Sequence, residues 1–188
     1  MSRTKQTKKQ PKVIVGIDPD RTGAIAVLTD DDLDIWDLSF GFDETGGFNS
    51  LDPIRFSTLL DYAVPYKPEQ VIVYCEESQV RFDNSIKTAR PTYDSRGVLR
   101  TVFTLRGFEV NFVSPVTWKN YYGLIQKKSE KKLSATEKKA LSVEKAIKLL
   151  PKHKDLFQRE HNGKPVLLDG RAEAALIAIY SKNLLNTK

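Results

Sequence analysis

The chain has 188 residues, 40% of them hydrophobic, and a net charge of +6, which is enough length for one domain with a buried core that needs no disulfides. Its single cysteine, Cys75, excludes an internal disulfide and favours a reducing compartment; its apolar neighbours predict a small buried side chain. No apolar run approaches the ~20 residues of a membrane span, and the basic start lacks the hydrophobic segment of a secretory signal.

The first three predicted elements are strands. Residues 13–17 form an apolar, β-branched run that is typical of a strand buried on both faces. Residues 24–28 and 33–40 follow after short polar turns and have strand-like composition. Because the connections are short, these three strands are predicted to form an antiparallel meander.

A loop, a helix and a fourth strand are predicted next. Residues 41–52 are rich in Gly, Asn and Asp and are expected to form a loop. Asp52 as the N-cap and Pro53 at the first helical position indicate the start of a helix. Residues 70–77, "QVIVYCEE", predict a strand that ends in two carboxylates, and residues 78–92 predict a loop because they lack an apolar period.

Helices and strands alternate in the rest of the chain. Residues 95–107 carry apolar side chains at helical spacing and end at Gly107, a typical C-cap residue. Residues 108–115 predict a half-exposed fifth strand, and residues 142–150 and 168–185 predict two further helices. The apolar side chains of the helix predicted over residues 95–107 are Val98, Leu99, Val102, Phe103 and Leu105.

The order of the elements predicts the fold class. Three antiparallel strands followed by alternating strands and helices indicate an α/β protein with a mixed five-stranded sheet flanked by helices. We expect residues 1–12 to be a basic disordered tail and residues 13–188 to form a single domain.

Carboxylates follow two of the predicted strands and begin the last helix. Asp18 ends the first strand, and Glu76 or Glu77 ends the fourth. Asp169 and Glu173 are four residues apart on a helix, so their side chains share one face. Clustered carboxylates repel each other unless a cation lies between them, and divalent cations prefer oxygen ligands. The pattern predicts a two-metal centre, in which one ion activates water and the other stabilises the leaving oxygen.

Each of these acids also has an ordinary structural explanation. Asp18 could be a turn residue, and Glu76 and Glu77 could be solvated acids at a strand end. Asp169 could be the N-cap of the last helix, and Glu173 could pair with a nearby lysine. The presence of all four together favours the metal site.

The charges are strongly segregated along the chain. The first 12 residues contain five basic and no acidic residues, and residues 118–154 contain eleven lysines and three glutamates. The remainder is therefore acidic. This distribution suggests a polyanionic partner that meets a site rich in carboxylates, although each basic run could simply be a solvated face.

Five segments resemble one known family in sequence and order. They are "VIVGIDPDRTGAIAV", "VYCEES", "RGV", "VSPVTWKNYYGL" and "LDGRAEAALIAIY". They are similar to segments of the RuvC-type Holliday-junction resolvases, and the last two look most like the chloroplast branch of that superfamily. The resemblance covers nearly the whole chain from residue 13 to residue 185.

The resemblance implies a ribonuclease H-like fold and hydrolysis of phosphodiester bonds with two Mg²⁺ ions, for which Mn²⁺ would substitute. It assigns the metal ligands Asp18, Glu76, Asp169 and Glu173. Bacterial members space the helix pair three residues apart with aspartate second, so this chain departs towards the chloroplast form. Glu76 is preferred over Glu77 because it is the first charged residue after the buried run, and Glu77 stays open.

The resemblance also assigns a catalytic lysine and a homodimer. Lys119 matches a lysine that family members place near the scissile phosphate, whereas its structural explanation is a surface lysine beside a buried Trp118. A homodimer would cut two opposed strands, and the helix over residues 96–106 is a candidate dimer surface.

Junction recognition is predicted to rest on shape and phosphate positions rather than on base sequence. Phe82 and Tyr93 are candidates to stack on exposed bases, although both could be core residues. Basic side chains that could contact phosphates are Arg96, Lys127, Lys128, Lys131 and Lys132.

The favoured function is a structure-selective endonuclease that resolves four-way DNA junctions by paired symmetric nicks with 5′-phosphate ends. A broader nuclease for branched DNA and an inactive junction-binding architectural protein are the alternatives. An actin-like ATPase is disfavoured because the chain is short and no glycine-rich phosphate loop follows the first strand. Bacterial, viral and organellar hosts all fit, and no membrane partner is expected.

Overall fold

The structure is a computed structural model that describes residues 13–30, 32–42, 48–77, 86–126 and 133–187. The strands are β1 (Val13–Asp18), β2 (Ala24–Leu28), β3 (Leu33–Asp37), β4 (Phe40–Phe42), β5 (Phe48–Leu51), β6 (Val71–Glu76), β7 (Val110–Val113), β8 (Gln158–His161) and β9 (Lys164–Leu167). The α-helices are α1 (Pro53–Ala63), α2 (Ile86–Leu105), α3 (Pro115–Tyr121), α4 (Ala135–Leu149) and α5 (Asp169–Asn186).

The central sheet has five strands in the order β3-β2-β1-β6-β7. The pairs β1–β2 and β2–β3 are antiparallel, as short turns require, whereas β6 lies parallel to β1 and β7 lies parallel to β6. Every residue of β1 is buried, because this strand is central and both faces of the sheet are covered. The predicted mixed α/β sheet is confirmed.

The two faces of the sheet carry different side chains. Branched residues such as Val15 and Ile25 face a core shared with α1 and α2. On the other face, small residues such as Ala24 and Ala26 meet α5, whose inner face is also rich in alanine. Small side chains on both surfaces allow this helix to lie close to the sheet.

No helix in the described ranges combines the length and apolar character needed to cross a bilayer.

The segment predicted as a loop at residues 41–52 instead contains a hairpin. Strands β4 and β5 pair through Phe40 with Leu51 and through Phe42 with Phe48. Leu51 is fully buried, and its N–H donates to Ser95 Oγ at 3.0 Å. The Gly-rich and Asn-rich composition concealed strands this short.

The predicted boundaries of α2 and the burial of one of its residues are also corrected. The helix begins at Ile86 rather than near residue 95, and it contains Pro91. Its first turns lack an apolar period because they are exposed: 84% of Ile86 is accessible to solvent. Leu105 was expected on the buried face, but it is 80% exposed at the last turn.

The C-terminal half contains elements that the apolar pattern did not predict. Helix α4 begins seven residues before the predicted start, at a capping box in which Ser134 and Glu137 exchange hydrogen bonds. Strands β8 and β9 form a mostly exposed hairpin that leads into α5. The N-terminal tail, residues 1–12, lies outside the described residues, and the single-domain organisation stays a prediction.

Candidate functional site

Two glycines bring α5 against β1 and the turn that follows it. A Cβ atom on Gly16 of β1 would overlap the backbone of Ala174 and Ala178 in α5. A Cβ atom on Gly170, in the first turn of α5, would overlap the carbonyl oxygen of Thr22. Any other residue would push the helix away at these positions. The acidic start of α5 is therefore held beside the carboxyl end of β1.

The two strand carboxylates lie at one edge of the sheet. Asp18 ends β1 and is 4% exposed, and Glu76 ends the neighbouring parallel strand β6 and is 7% exposed. Because β1 and β6 are parallel, their carboxyl ends meet at the same edge. Asp18 is also a turn residue, since its Oδ1 accepts a hydrogen bond from the N–H of Asp20 at 3.1 Å.

The two adjacent glutamates have different environments. Glu76 is buried in the site, whereas Glu77 is half-buried and forms an ion pair with Arg96 at 3.0 Å. The guanidinium of Arg96 in turn lies over the ring of Phe112, 4.5 Å from its centroid. Successive side chains of a strand point to opposite faces, which explains the division.

Helix α3 contributes two side chains that contact Glu76. Trp118 is fully buried, and its indole N–H donates to Glu76 Oε2 at 2.7 Å. The ammonium of Lys119 lies 3.9 Å from the same oxygen and 2.9 Å from Glu173 Oε2. Pro115 at the first helical position fixes the start of this short helix directly after β7.

The acidic pair of α5 is held by α4. The hydroxyl of Ser142 donates to Glu173 Oε1 at 2.8 Å, and the ammonium of Lys139 lies 2.7 Å from Asp169 Oδ2. Asp169 is the first residue of α5 and not its N-cap, which is Leu168. Glu173 pairs with a lysine, Lys119, so the ordinary structural role considered for this residue in the sequence, pairing with a nearby lysine, is also present.

The electrostatics of the site follow from burial of several like charges. Burial raises the pKa of Asp18 well above its ordinary value, and the nearby carboxylates of Asp20, Glu173 and Glu76 raise it further. Burial likewise raises the pKa of Glu76 to about 7, against the opposing effect of Lys119. Removing these two carboxylates from water makes their ionised forms costly unless cations compensate them.

The lysines supply part of that compensation. Together, Lys119 and Lys139 contact three of the carboxylates: Glu76, Glu173 and Asp169. In the part of the chain that the structure describes, no three Asp, Glu, His or Cys side chains are grouped so as to hold a single ion. The donor set nevertheless suits a hard divalent cation, because it consists of carboxylate oxygens on rigid elements and is only partly neutralised.

The candidate DNA contacts are only partly within the described residues. Tyr93 is 60% exposed on α2, so it is not a core residue, and Arg96 is engaged with Glu77. The other five candidates lie outside the described residues: Phe82, Lys127, Lys128, Lys131 and Lys132.

Three residues that contact the carboxylates were not predicted as site residues: Trp118, Lys139 and Ser142. Ser142 is buried on the apolar face of α4 together with Val143 and Ala146, and a hydroxyl in such a position needs a partner. That signal could have been read from the sequence. Lys139 could not be distinguished from the other lysines of its segment, since pairing depends on how α4 packs against α5.

The arrangement of strands and helices is that of solved Holliday-junction resolvases. Thermus thermophilus RuvC, in complex with a Holliday junction substrate, superposes with a TM-score of 0.52 at 13% identity over 93% of this chain and 96% of that chain. The yeast mitochondrial Holliday junction resolvase superposes with a TM-score of 0.52 at 15% identity over 95% of this chain and 85% of that chain. The chain has the RuvC fold.

This finding confirms the ribonuclease H-like fold implied by the sequence resemblance. No family profile matches the sequence, and no curated protein is significantly similar to it. The RuvC fold is thus recognised in this chain through its three-dimensional arrangement and through the five short segments that carry the resemblance.

Proposed function

We propose that this protein is a structure-selective endonuclease that resolves four-way DNA junctions. It hydrolyses phosphodiester bonds with Mg²⁺ and, acting as a homodimer, makes paired symmetric nicks that leave 5′-phosphate ends. The main support is the meeting of Asp18, Glu76, Glu173 and Lys119 at one edge of a sheet with the RuvC fold.

The four carboxylates are proposed as the ligands of two Mg²⁺ ions, for which Mn²⁺ would substitute. Asp18 and Glu76 are provided by strands, and Asp169 and Glu173 by the first two turns of α5. When bound, such ions activate water and stabilise charge on the leaving oxygen. Buried, mutually repelling carboxylates fit this role because a divalent cation relieves their repulsion.

The remaining groups of the site hold and balance these ligands. Lys119 provides a fixed positive charge at the site, and we assign it to the scissile phosphate as negative charge accumulates there. Ser142 donates a hydrogen bond to Glu173 Oε1, and Lys119 contacts Oε2 of the same carboxylate, so the two side chains together orient Glu173. Burial of Asp18 and Glu76 removes these carboxylates from bulk water and strengthens their electrostatic interactions.

Junction binding is assigned to basic and aromatic side chains. Tyr93, with its exposed ring, is proposed to stack on an unpaired base. Arg96 and the lysine-rich stretch that includes Lys127, Lys128, Lys131 and Lys132 are proposed to contact phosphates. Such contacts predict an affinity that falls steeply with salt concentration.

The test uses a labelled synthetic four-way junction with wild-type protein, with and without Mg²⁺, and with Asp18→Asn. Paired symmetric nicks that need both Mg²⁺ and Asp18 are expected, while junction binding survives in both controls. Glu76→Gln and Glu77→Gln form a matched pair of adjacent substitutions. Cleavage should be lost only with Glu76→Gln, and loss only with Glu77→Gln would reverse the ligand assignment.

Two outcomes would redirect the assignment. Equal cleavage of flaps, forks and four-way junctions would indicate a broader nuclease for branched DNA. Tight and selective junction binding without nicks in Mg²⁺ or Mn²⁺ would indicate an architectural protein with this fold.

A further inference from the structure

We propose that Trp118 is a positioning residue that holds both Glu76 and Lys119 in place for metal binding. The assignment rests on the proposed function, since it concerns the same carboxylate site. It adds a residue that contacts neither the ion nor the substrate and acts through two residues that are assigned to do so.

The first contact of Trp118 is a hydrogen bond inside the protein. Its Nε1–H donates to Glu76 Oε2 at 2.7 Å, and both side chains are buried. A bond from a neutral donor to a carboxylate is charge-assisted, and it favours the ionised form that a cation requires. Lys119 approaches the same Oε2 at 3.9 Å, and no described residue hydrogen-bonds Oε1. The bond therefore fixes the orientation of the Glu76 carboxylate through Oε2.

The second contact is made by the face of the indole ring. The ammonium of Lys119 lies 4.9 Å from the centroid of the Trp118 ring, within cation–π range. That ammonium is also the group that reaches Glu173 at 2.9 Å. One aromatic side chain thus touches a strand carboxylate through its edge and the site lysine through its face.

The orientation of the indole is fixed by the helix that carries Glu173. Trp118 packs edge-to-face on Tyr122, with ring centroids 6.4 Å apart. The hydroxyl of Tyr122 donates to the carbonyl oxygen of Leu176, three residues after Glu173 on α5. A rotation of the indole would break this packing. The position of Glu76 is consequently coupled to that of α5 through Trp118.

Trp118→Phe separates positioning from packing. Phenylalanine keeps an aromatic ring in the core but has no N–H, so it removes the bond to Glu76 and preserves most of the apolar contact. Trp36→Phe is the matched control, because Trp36 packs on Tyr62 at the far edge of the sheet with centroids 6.1 Å apart. The chain has two tryptophans, so the control also leaves Trp118 as the single indole.

The first measurement is the Mg²⁺ concentration for half-saturation, from binding of Mg²⁺ alone and from cleavage rates. Trp118→Phe is expected to raise it about 10-fold or more, in the range typical of residues that orient metal ligands. Cleavage should recover at high Mg²⁺, and junction affinity should stay unchanged. Trp36→Phe should match the wild type. A lowered melting temperature with unchanged Mg²⁺ half-saturation would show that Trp118 only fills the core.

The second measurement decides the matter even if Trp118→Phe does not fold. In Trp36→Phe protein, Mg²⁺ is expected to shift the fluorescence of Trp118, because the charge on its hydrogen-bond partner is neutralised. Adding Glu76→Gln should abolish the shift. Emission that stays constant while Mg²⁺ binds would overturn the assignment of Trp118 and leave the proposed function intact. Failure of wild-type protein to bind Mg²⁺ would overturn the proposed function itself.

Discussion

The ammonium nitrogen of Lys119 lies 2.9 Å from a carboxylate oxygen of Glu173, and both groups are mostly buried. Burial alone lowers the pKa of this lysine, but the carboxylates of Glu173 and Glu76 outweigh it and the net direction is upward. Lys119 therefore remains charged at neutral pH. A permanent positive charge beside two carboxylates can serve the metal-free protein as a counter-ion, and in the proposed nuclease it would contact the phosphate.

Lys119→Ala is predicted to lower the turnover of junction cleavage by about 100-fold or more, as loss of a preorganised charge typically does. Junction affinity should change little, because one lysine is a small part of a broad phosphate surface. Single-turnover cleavage and junction binding, measured at the same salt concentration, separate the two effects. Lys182→Ala is the control. This lysine pairs with Asp30, and it lies about 13 Å further along α5 than Glu173. A turnover unchanged by Lys119→Ala would show that Lys119 has no catalytic role.

Lys139→Ala is predicted to strengthen Mg²⁺ binding a few-fold. The ammonium of Lys139 contacts Asp169 at 2.7 Å, so a cation bound to that carboxylate has to displace it. The effect is modest because half of the Lys139 side chain is exposed and the ion pair is screened. Metal titration of Lys139→Ala and of Lys138→Ala checks the prediction, since the described residues form no ion pair with Lys138. Weaker Mg²⁺ binding in Lys139→Ala alone would indicate that Lys139 supports the ion and does not compete with it.

The stability of the metal-free protein is predicted to fall as pH rises from about 4.5 to about 7. Burial raises the pKa of Glu76 from 4.5 to about 7, so in this window the folded protein holds a proton that the unfolded chain has lost. The free energy of unfolding then decreases with pH, by on the order of 3 kcal/mol from this group. Urea denaturation in EDTA at several pH values measures it.

Two comparisons isolate Glu76 from the other titrating groups. Glu76→Gln cannot ionise, so its stability should fall less over the same pH range. Mg²⁺ selects the ionised carboxylate, so its stabilising effect on the wild type should grow as pH rises. Identical pH dependence in wild type and Glu76→Gln would mean that Glu76 titrates as an ordinary exposed acid.

The sequence was sufficient to predict the central sheet but not the short hairpins and the helix start that lie outside it. Strand β1 and helix α5 are long, strongly patterned and buried, so composition alone identifies them. The strands of the β4–β5 and β8–β9 hairpins have four residues or fewer, which is too short for a clear apolar pattern in the sequence. They are therefore recognised from the pairing within each hairpin and not from the sequence. The start of α2 was missed for a related reason, since its first turns are exposed.

The candidate site shows the same division. The acidic positions follow from where strands end and from helical spacing, which are local properties of the sequence. The choice between Glu76 and Glu77 depends on which face of β6 is turned to α3, and strand alternation alone leaves it open. The apolar face of α4 indicates that Ser142 needs a partner, but which carboxylates Trp118, Ser142 and Lys139 contact depends on how α3 and α4 pack, and no local pattern contains that.

The close contact between β1 and α5 predicts that Gly16→Ala destabilises the protein and weakens Mg²⁺ binding together. The added methyl would overlap the backbone of Ala174, so α5 has to shift relative to the strand that carries Asp18. We expect a loss of about 1–3 kcal/mol in the free energy of unfolding, as for other overpacked cores.

Gly97→Ala is the matched substitution on α2, where the added methyl would meet no described residue within 4 Å outside its own stretch of helix. Alanine is the better helix former, so this variant should gain up to about 1 kcal/mol and bind Mg²⁺ like the wild type. Urea denaturation in EDTA and Mg²⁺ titration of both variants make the comparison. A Gly16→Ala protein that loses stability but keeps wild-type Mg²⁺ affinity would mean that α5 shifts without moving Glu173 away from Asp18, and the glycine contact would then be structural only.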